Sequence, residues 1–149
     1  MKKTYYIVSG GFDPIHEGHI SNIIESRNNS DGVIVLLNSD AWLCRKKGQN
    51  FMNEFTRKII LENIRGVIDV LSFDDSDGSA CDGLKKAREK YKDAILVFAK
   101  GGDRTANNIP EIPVAKDLDI EIKYNVGTVN GESKPNSSSW LLKKWDERN

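Results

Sequence analysis

The segment from Gly10 to His19 constrains the fold more than any other stretch of this 149-residue sequence. It follows residues 4–9, a short run of β-branched and aromatic residues that predicts a buried first strand. It leads into apolar residues that recur at helical spacing from Ile20, so we expect a helix to begin near Glu17. A strand, a glycine turn and a helix N-terminus direct backbone N–H groups and the positive end of the helix dipole to one point. Such an arrangement suits phosphate.

Two histidines occupy the first turn of that helix. His16 and His19 are three residues apart, which places both imidazoles on the same side. Gly18 between them leaves room for a ligand to approach the backbone. A surface pair or an incidental metal site would explain two histidines at this spacing equally well. The glycines, the preceding strand and the Phe12-Asp13 pair favour the phosphate site over both alternatives.

The composition excludes several classes of function. The chain has 22 basic and 22 acidic residues, so no overall field would attract nucleic acid or an anionic membrane. No apolar run approaches the length of a membrane span, and we expect a cytoplasmic protein. Cys44 and Cys81 lack metal-ligand spacing and are expected to be reduced thiols. The length fits one domain, residues 1–149.

Predicted strands and helices alternate along the chain, which indicates an α/β protein with an open parallel sheet of five strands and helices on both faces. The predicted strands are 4–9, 33–37, 67–71, 94–98 and 120–125. The predicted helices are 17–27, 54–65, 81–92, 111–117 and 140–147. Residues 42–53 are expected to be irregular and basic. The helix at 54–65 is expected to point Ile59, Ile60 and Ile64 inward.

Polar clusters follow the carboxyl ends of the predicted strands, where open parallel sheets bind ligands. They are 10–19 after the first strand, 38–48 after the second, 100–104 after the fourth, and 137–139 at the start of the last helix. Lys46 could neutralise a triphosphate, and Asp103 could accept hydrogen bonds from a ribose or base. Serine hydroxyls at a helix N-terminus suit phosphate. Each cluster also has an ordinary explanation: a solvated basic loop, a common strand end or a serine-rich cap.

The His-x-Gly-His segment after Gly-Phe-Asp resembles the signature of the cytidylyltransferase-like nucleotidyltransferases, and the resemblance spans nearly the whole chain. Residues 38–65 resemble the middle of a glycerol-3-phosphate cytidylyltransferase, whereas Lys-Gly-Gly-Asp at 100–103 resembles the heptose-phosphate adenylyltransferases. The resemblance implies a single Rossmann-like domain. It also implies transfer of a nucleoside monophosphate to a phosphorylated alcohol or sugar, with release of pyrophosphate. We expect CTP as the nucleotide; ATP with a sugar phosphate is the alternative.

The resemblance also assigns roles to residues. His16, His19 and Lys46 would be catalytic, and Asp40 and Arg57 would contact the acceptor. The nucleotide-binding residues would be Gly10, Gly11, Phe12, Asp13, Gly18, Gly101, Gly102, Asp103, Ser137, Ser138 and Ser139. Mg²⁺ would bridge the nucleotide phosphates, because the sequence shows no dedicated carboxylate cage. The expected partners are a nucleoside triphosphate, a small phosphorylated acceptor and, through the segment at 64–67, a second copy of the chain. Nucleic acid and membrane are not expected.

The sequence departs from the family pattern at two positions. The second loop lysine of the glycerol-3-phosphate cytidylyltransferases falls at Gly48, where Lys47 is the candidate replacement. The arginine that often precedes the serine motif is absent, and Lys134 stands nearby. These departures keep open a second interpretation, a catalytically inactive nucleotide-binding regulatory module. The intact His16 and His19 argue against it.

Overall fold

The computed structural model describes residues 2–100, 110–124, 126 and 145. Its strands are β1 (Thr4–Gly10), β2 (Gly32–Leu37), β3 (Val67–Ser72), β4 (Ile95–Ala99) and β5 (Ile120–Lys123). Its helices are α1 (Glu17–Asn28), α2 (Asp40–Lys47), α3 (Glu54–Glu62), α4 (Cys81–Lys90) and α5 (Glu111–Asp117). None of these helices is long and apolar enough to cross a membrane.

The five strands form one parallel sheet in the order β3-β2-β1-β4-β5. Every residue of β2 is buried, which explains its continuous apolar run, because a central strand covered on both faces has no polar side. One face packs against α1 and α3 through Ile23 and Leu61. The other face packs against α4 and α5 through Leu84 and Ala115. The predicted fold class, a Rossmann-like α/β sheet with helices on both faces, is confirmed.

The strand order places a switch point between β1 and β4. The chain moves outward from β1 through β2 to β3, and then returns to place β4 on the opposite side of β1. Because the connections on the two sides diverge there, a crevice opens at the carboxyl ends of β1 and β4. The histidine segment follows one of these strands, and Lys100 follows the other.

The prediction that residues 42–53 are irregular is wrong for their first half, which belongs to α2. The helix begins after Ser39, whose hydroxyl accepts a hydrogen bond from the backbone N–H of Trp42 at 3.1 Å. It ends at Gly48, which has a left-handed φ of 87°. Both capping signals are present in the sequence, but the basic composition of the stretch concealed them.

The inward face of α3 also differs from the prediction. Ile59 is 45% exposed, whereas Arg57 and Leu61 occupy the buried positions of the helix. Ile60 is half-buried, and Ile64, just beyond the end of α3, is partly buried against the core as predicted. The apolar stripe is therefore rotated, because the helix turns a charged side chain toward the sheet. The hydrogen bonds of the Arg57 side chain explain why this charged residue faces the sheet.

Candidate active site

The glycine turn after β1 is shaped by packing as well as by backbone freedom. A Cβ atom built on Gly11 would lie 2.7 Å from Cδ2 of Leu43, so the missing side chain makes room for α2. The next residue, Phe12, is buried and has a positive φ of 53°. The carbonyl of Gly10 accepts a hydrogen bond from the N–H of Asn38 at 2.9 Å, which joins the ends of β1 and β2.

Asp13 anchors the segment that connects α2 to α3. Its carboxylate is buried and accepts hydrogen bonds from the backbone N–H groups of Phe51, at 2.5 Å, and Met52, at 2.6 Å. A carboxylate that accepts two backbone N–H groups makes strong charge-assisted bonds. Asp13 was expected to bind nucleotide; here its carboxylate orders the surrounding chain.

His16 and His19 form a reciprocal cap at the start of α1. Nδ1 of His16 accepts from the N–H of Gly18 at 3.0 Å, and Nδ1 of His19 accepts from the N–H of His16 at 3.2 Å. The two imidazole rings stack with their centroids 3.9 Å apart, and the centroid of the Phe12 ring lies 4.7 Å from that of His19. Because a neutral imidazole that accepts at Nδ1 carries its proton on Nε2, both histidines keep an Nε2–H donor.

The surroundings of the two rings favour their neutral form. Burial is the main cause that lowers the pKa of His16; Lys47 also lowers it, and Glu17 opposes the change. Burial, followed by the His16 ring and Lys47, lowers the pKa of His19 to about 3. At neutral pH both rings are therefore uncharged hydrogen-bond donors at the positive end of a helix.

The charge of Lys47 acts on both histidine rings. Burial lowers the pKa of Lys47 itself, and the nearby carboxylate of Asp13 opposes this change. Lys46 is exposed, and its ammonium lies 4.6 Å from the centre of the Trp42 ring.

The two lysines lie on neighbouring rows of α2. Lys47 follows Leu43 by four residues and Lys46 follows Trp42 by four, and both Leu43 and Trp42 pack against Gly11, with Leu43 the nearer. Lys46 was expected to be catalytic because it matches the first loop lysine of the glycerol-3-phosphate cytidylyltransferases, and Lys47 was the candidate replacement for the second.

Arg57 and Asp40, the two expected acceptor contacts, bind each other. Nη2 of Arg57 lies 2.6 Å from Oδ1 of Asp40, and the Arg57 side chain is 0% exposed. Its other nitrogens donate to the carbonyls of Met52 at 3.0 Å, and of Gly11 and Asn38 at 2.8 Å each. Arg57 therefore has no surface to offer an acceptor in this structure, and it ties together the segments around the site. The Asp40 side chain remains 42% exposed.

Asp75 is a supporting residue that the sequence did not single out. Its buried carboxylate accepts from Nδ2 of Asn38 at 3.0 Å, and from the N–H and hydroxyl of Ser39 at 2.7 and 2.8 Å. Arg45 also donates to its backbone carbonyl at 2.9 Å. Asp75 fixes the end of β2 and the start of α2. Nothing in the sequence around Asp75 marked it for this role.

The remaining expected site residues, Gly101, Gly102, Asp103, Ser137, Ser138 and Ser139, lie outside the described residues, as does Lys134. Within the described part of the chain, no three His, Cys, Asp or Glu side chains are grouped closely enough to hold a metal ion. The described site is thus a neutral imidazole pair at a helix N-terminus beside one lysine, and this arrangement can bind phosphate oxygens.

The cytidylyltransferase-like family model matches residues 7–144, so the chain belongs to this family of nucleotidyltransferases. Among curated proteins, the chain is 29% identical to Bifunctional protein HldE of Geobacter metallireducens and 30% identical to that of Syntrophotalea carbinolica. Each alignment covers 97% of this chain and 28% of the relative. The chain thus spans little more than a quarter of the length of these relatives.

Solved structures share the fold at low identity. A bifunctional NMN adenylyltransferase/ADP ribose pyrophosphatase of Francisella tularensis, complexed with AMP and a manganese ion, aligns with a TM-score of 0.65 and 18% identity. The alignment covers 97% of this chain and 42% of that one. A lipopolysaccharide core biosynthesis protein of Thermoplasma volcanium aligns with a TM-score of 0.60 and 17% identity, over 85% of this chain and 99% of that one.

Proposed function

We propose that the chain transfers a nucleoside monophosphate from a nucleoside triphosphate to a phosphorylated alcohol or sugar. The observation that carries this proposal is the reciprocal cap, because it leaves the Nε2–H donors of His16 and His19 on the first turn of α1. Family membership supports the reaction class. In this turn the backbone N–H groups of His16 and Gly18 close the cap, and the two Nε2–H groups remain for phosphate.

In the proposed reaction, a phosphate oxygen of the acceptor attacks the α-phosphorus, and the bond from that phosphorus to the bridging oxygen of pyrophosphate breaks. His16 and His19 donate hydrogen bonds to α- and β-phosphate oxygens as negative charge develops there. Lys47 supplies a positive charge on the adjacent side. No covalent bond to the protein forms, so the chain acts by positioning and charge stabilisation.

A divalent ion fits this site only as a companion of the nucleotide. The described residues hold no group of three potential ligands, and both carboxylate oxygens of Asp13 already accept backbone N–H groups. Mg²⁺ binds proteins through few side chains together with substrate phosphates, which suits such a site. When bound, it would neutralise charge on the departing pyrophosphate.

The choice of nucleotide rests on two opposing likenesses. The Lys-Gly-Gly-Asp motif at 100–103 resembles the heptose-phosphate adenylyltransferases, which favours ATP and a sugar phosphate. The likeness of residues 38–65 to glycerol-3-phosphate cytidylyltransferases favours the original expectation, CTP. We place ATP first and keep CTP as the second candidate. For the acceptor, the exposed part of Asp40 is the available contact, since Arg57 is enclosed.

Pyrophosphate release distinguishes these possibilities. The chain would be assayed with ATP, CTP, GTP and UTP in turn, with Mg²⁺, against a panel of phosphoalcohols and sugar phosphates. Release with one nucleotide, dependent on the acceptor, is the expected result. Nucleotide binding without release in any combination would support the regulatory module instead, and absence of binding would exclude both functions.

We also propose a homodimer. In α3, Phe55 is 73% exposed and Ile59, one turn later, is 45% exposed, an unusual pair of large apolar side chains on one helix face. Light scattering at tens of micromolar should give twice the mass of the chain. Phe55→Glu should reduce the mass to that of a monomer, whereas Phe51→Glu tests whether the neighbouring exposed ring takes part. A monomer mass for the unmodified chain would contradict the proposal.

A further inference from the structure

One buried oxygen on the β4 side of the sheet lacks a hydrogen-bond partner. Glu111, the first residue of α5, is only 4% exposed. Its Oε1 lies 3.7 Å from the ammonium of Lys100, whereas its Oε2 is buried without any hydrogen-bond partner. No other buried side-chain oxygen or nitrogen of the described residues is in this condition.

An unsatisfied carboxylate oxygen is unfavourable enough to require an explanation. Leaving a buried polar group without a partner costs about 1–3 kcal/mol, and more when the group is charged. Lys100 already lies beside the other oxygen, and its side chain is 12% exposed, so the pair is not sealed from its surroundings. A hydrogen-bond donor from a ligand or a water molecule would satisfy this oxygen.

The position of Glu111 indicates which part of a ligand would reach it. Lys100 directly follows β4, and β4 lies beside β1, whose end carries the histidine segment. A nucleotide whose phosphates contact His16 and His19 would extend from this switch point. The proposed acceptor contact, Asp40, follows β2 on the far side of β1. The β4 side is therefore left for the base.

We propose that Glu111 is the residue that selects the base, by accepting a hydrogen bond from the exocyclic amino group of adenine or cytosine at Oε2. Adenine and cytosine present an N–H₂ donor at the position where guanine and uracil present a carbonyl oxygen. A buried carboxylate accepts from the former and repels the latter. The inference rests on the proposed function, since it assumes that the chain binds a nucleotide at this switch point.

A contact of this kind fits both nucleotide candidates, ATP and CTP. Both bases carry the amino group, so one acceptor oxygen would admit either and reject GTP and UTP. A site built to bond one substrate group rejects analogues without it by about 10⁴–10⁵-fold at most. Since a single bond is involved here, we expect discrimination of about 10²–10³-fold within each pair, ATP over GTP and CTP over UTP.

Glu111→Gln is the decisive substitution because its shape is conserved and its amide can turn to donate. The variant should lower the ratio of kcat/KM for ATP over GTP, or for CTP over UTP, by about tenfold or more. Glu121→Gln, at an exposed position of β5, is the matched control and should leave both ratios unchanged. Both kcat/KM values in a ratio are measured on the same preparation. A smaller fraction of folded protein therefore lowers both equally and leaves the ratio unchanged.

A measurement on the unmodified chain covers the case in which the variant does not fold. The triphosphate of purine riboside, which lacks only the amino group of adenosine, should bind about 10²-fold more weakly than ATP in calorimetric titration. The corresponding comparison for CTP uses the triphosphate of the cytidine analogue without its amino group. If a water molecule satisfies Oε2 instead, the amino group will make no difference.

The outcomes separate this inference from the proposed function. Selective binding of ATP or CTP without pyrophosphate release would contradict the proposed function and support base selection by Glu111. Pyrophosphate release with equal efficiency for all four nucleotides would do the reverse. Unchanged ratios in Glu111→Gln, or equal affinity for nucleotides with and without the amino group, would overturn the inference. Failure to bind any nucleotide would overturn both.

Discussion

The carboxyl ends of β1 and β4 are neighbours in the sheet, but their polar groups are satisfied in different ways. At the β1 end, Asp13, His16 and His19 each accept hydrogen bonds from backbone N–H groups. At the β4 end, Glu111 keeps an oxygen without a partner in the described chain. A turn whose polar groups hydrogen-bond to each other is ordered before a ligand binds. An unpaired acceptor, by contrast, would gain its hydrogen bond only from the ligand. We therefore expect the β1 end to control the rate of the reaction and the β4 end to control which nucleotide base is accepted.

The largest expected effect is on the rate, at the β1 end. His16→Ala or His19→Ala should lower kcat by about 10²–10³-fold with a smaller change in KM, because each removes a donor that acts on developing charge. The ATP-to-GTP ratio should be unchanged in both variants. Ser21→Ala, further along α1, is the control. Wild-type turnover in either alanine variant would remove that histidine from the mechanism.

The two adjacent lysines provide the next comparison. Lys47→Ala should lower kcat/KM by about 10²-fold, since the charge of Lys47 acts on both imidazoles. Lys46→Ala should have a clearly smaller effect, since Lys46 lies over Trp42. Kinetics of both variants under the same conditions check this order. An equal loss, or a greater loss for Lys46, would mean that the side of α2 facing the substrate is assigned incorrectly.

Asp13 tests whether order at the β1 end depends on internal bonds. Asp13→Asn replaces one acceptor oxygen by an amide group that cannot accept from backbone N–H, and should lower the free energy of unfolding by about 2 kcal/mol. Asp31→Asn is a matched control, because exposed Asp31 accepts one bond from Thr4 at 2.9 Å. Urea unfolding should show a change of less than about 1 kcal/mol in the control. Equal changes would indicate that burial of the Asp13 carboxylate gives no advantage.

Acid should weaken the β1 end through its histidines. The pKa of His19 is about 3 when folded and near 6.5 when unfolded, so the unfolded chain binds more protons between these values. His19 therefore stabilises the fold fully above about pH 6.5, and this contribution falls as pH decreases toward 3, by at most about 1.4 kcal/mol per pH unit.

His19→Gln isolates this titration, because glutamine at the third helical position can also accept from the N-cap N–H and has no titratable group. The free energy of unfolding, measured between pH 7 and 4, should depend less steeply on pH in the variant. Since the pKa of His16 is lowered too, some dependence should remain. Identical slopes in variant and wild type would show that His19 is not buried as a neutral base.

The sequence predicted most of the fold because the decisive signals were local. The continuous apolar run of β2 and the glycine turn before α1 identified a parallel sheet, whereas the position of the switch point depends on the strand order, which the structure supplied. α2 was missed although Ser39 and Gly48 cap it, because three consecutive basic residues suggested a loop. The inward face of α3 was misjudged since it depends on a charged residue, Arg57, whose partners lie elsewhere in the sequence.

The candidate site was predictable only where residue spacing determines contact. The three-residue separation of His16 and His19 placed both rings together, as found. The choice between Lys46 and Lys47 depends on which side of α2 faces the substrate, whereas the prediction of Lys46 followed the family register alone. Glu111 gave no signal, since a buried acceptor is a property of packing, and nothing in the chain near it marks it as buried.

Arg57 has a consequence for how the site opens. Its buried guanidinium bonds the carbonyls of Gly11, Asn38 and Met52, which belong to three separate segments. Separation of any one segment would leave a buried charge with fewer partners, which is strongly unfavourable. The three segments should therefore lose protection from hydrogen exchange together, as one cooperative unit, while neighbouring surface helices fray independently. The backbone around Gly11, Asn38 and Met52 is then either ordered in all three segments or in none of them.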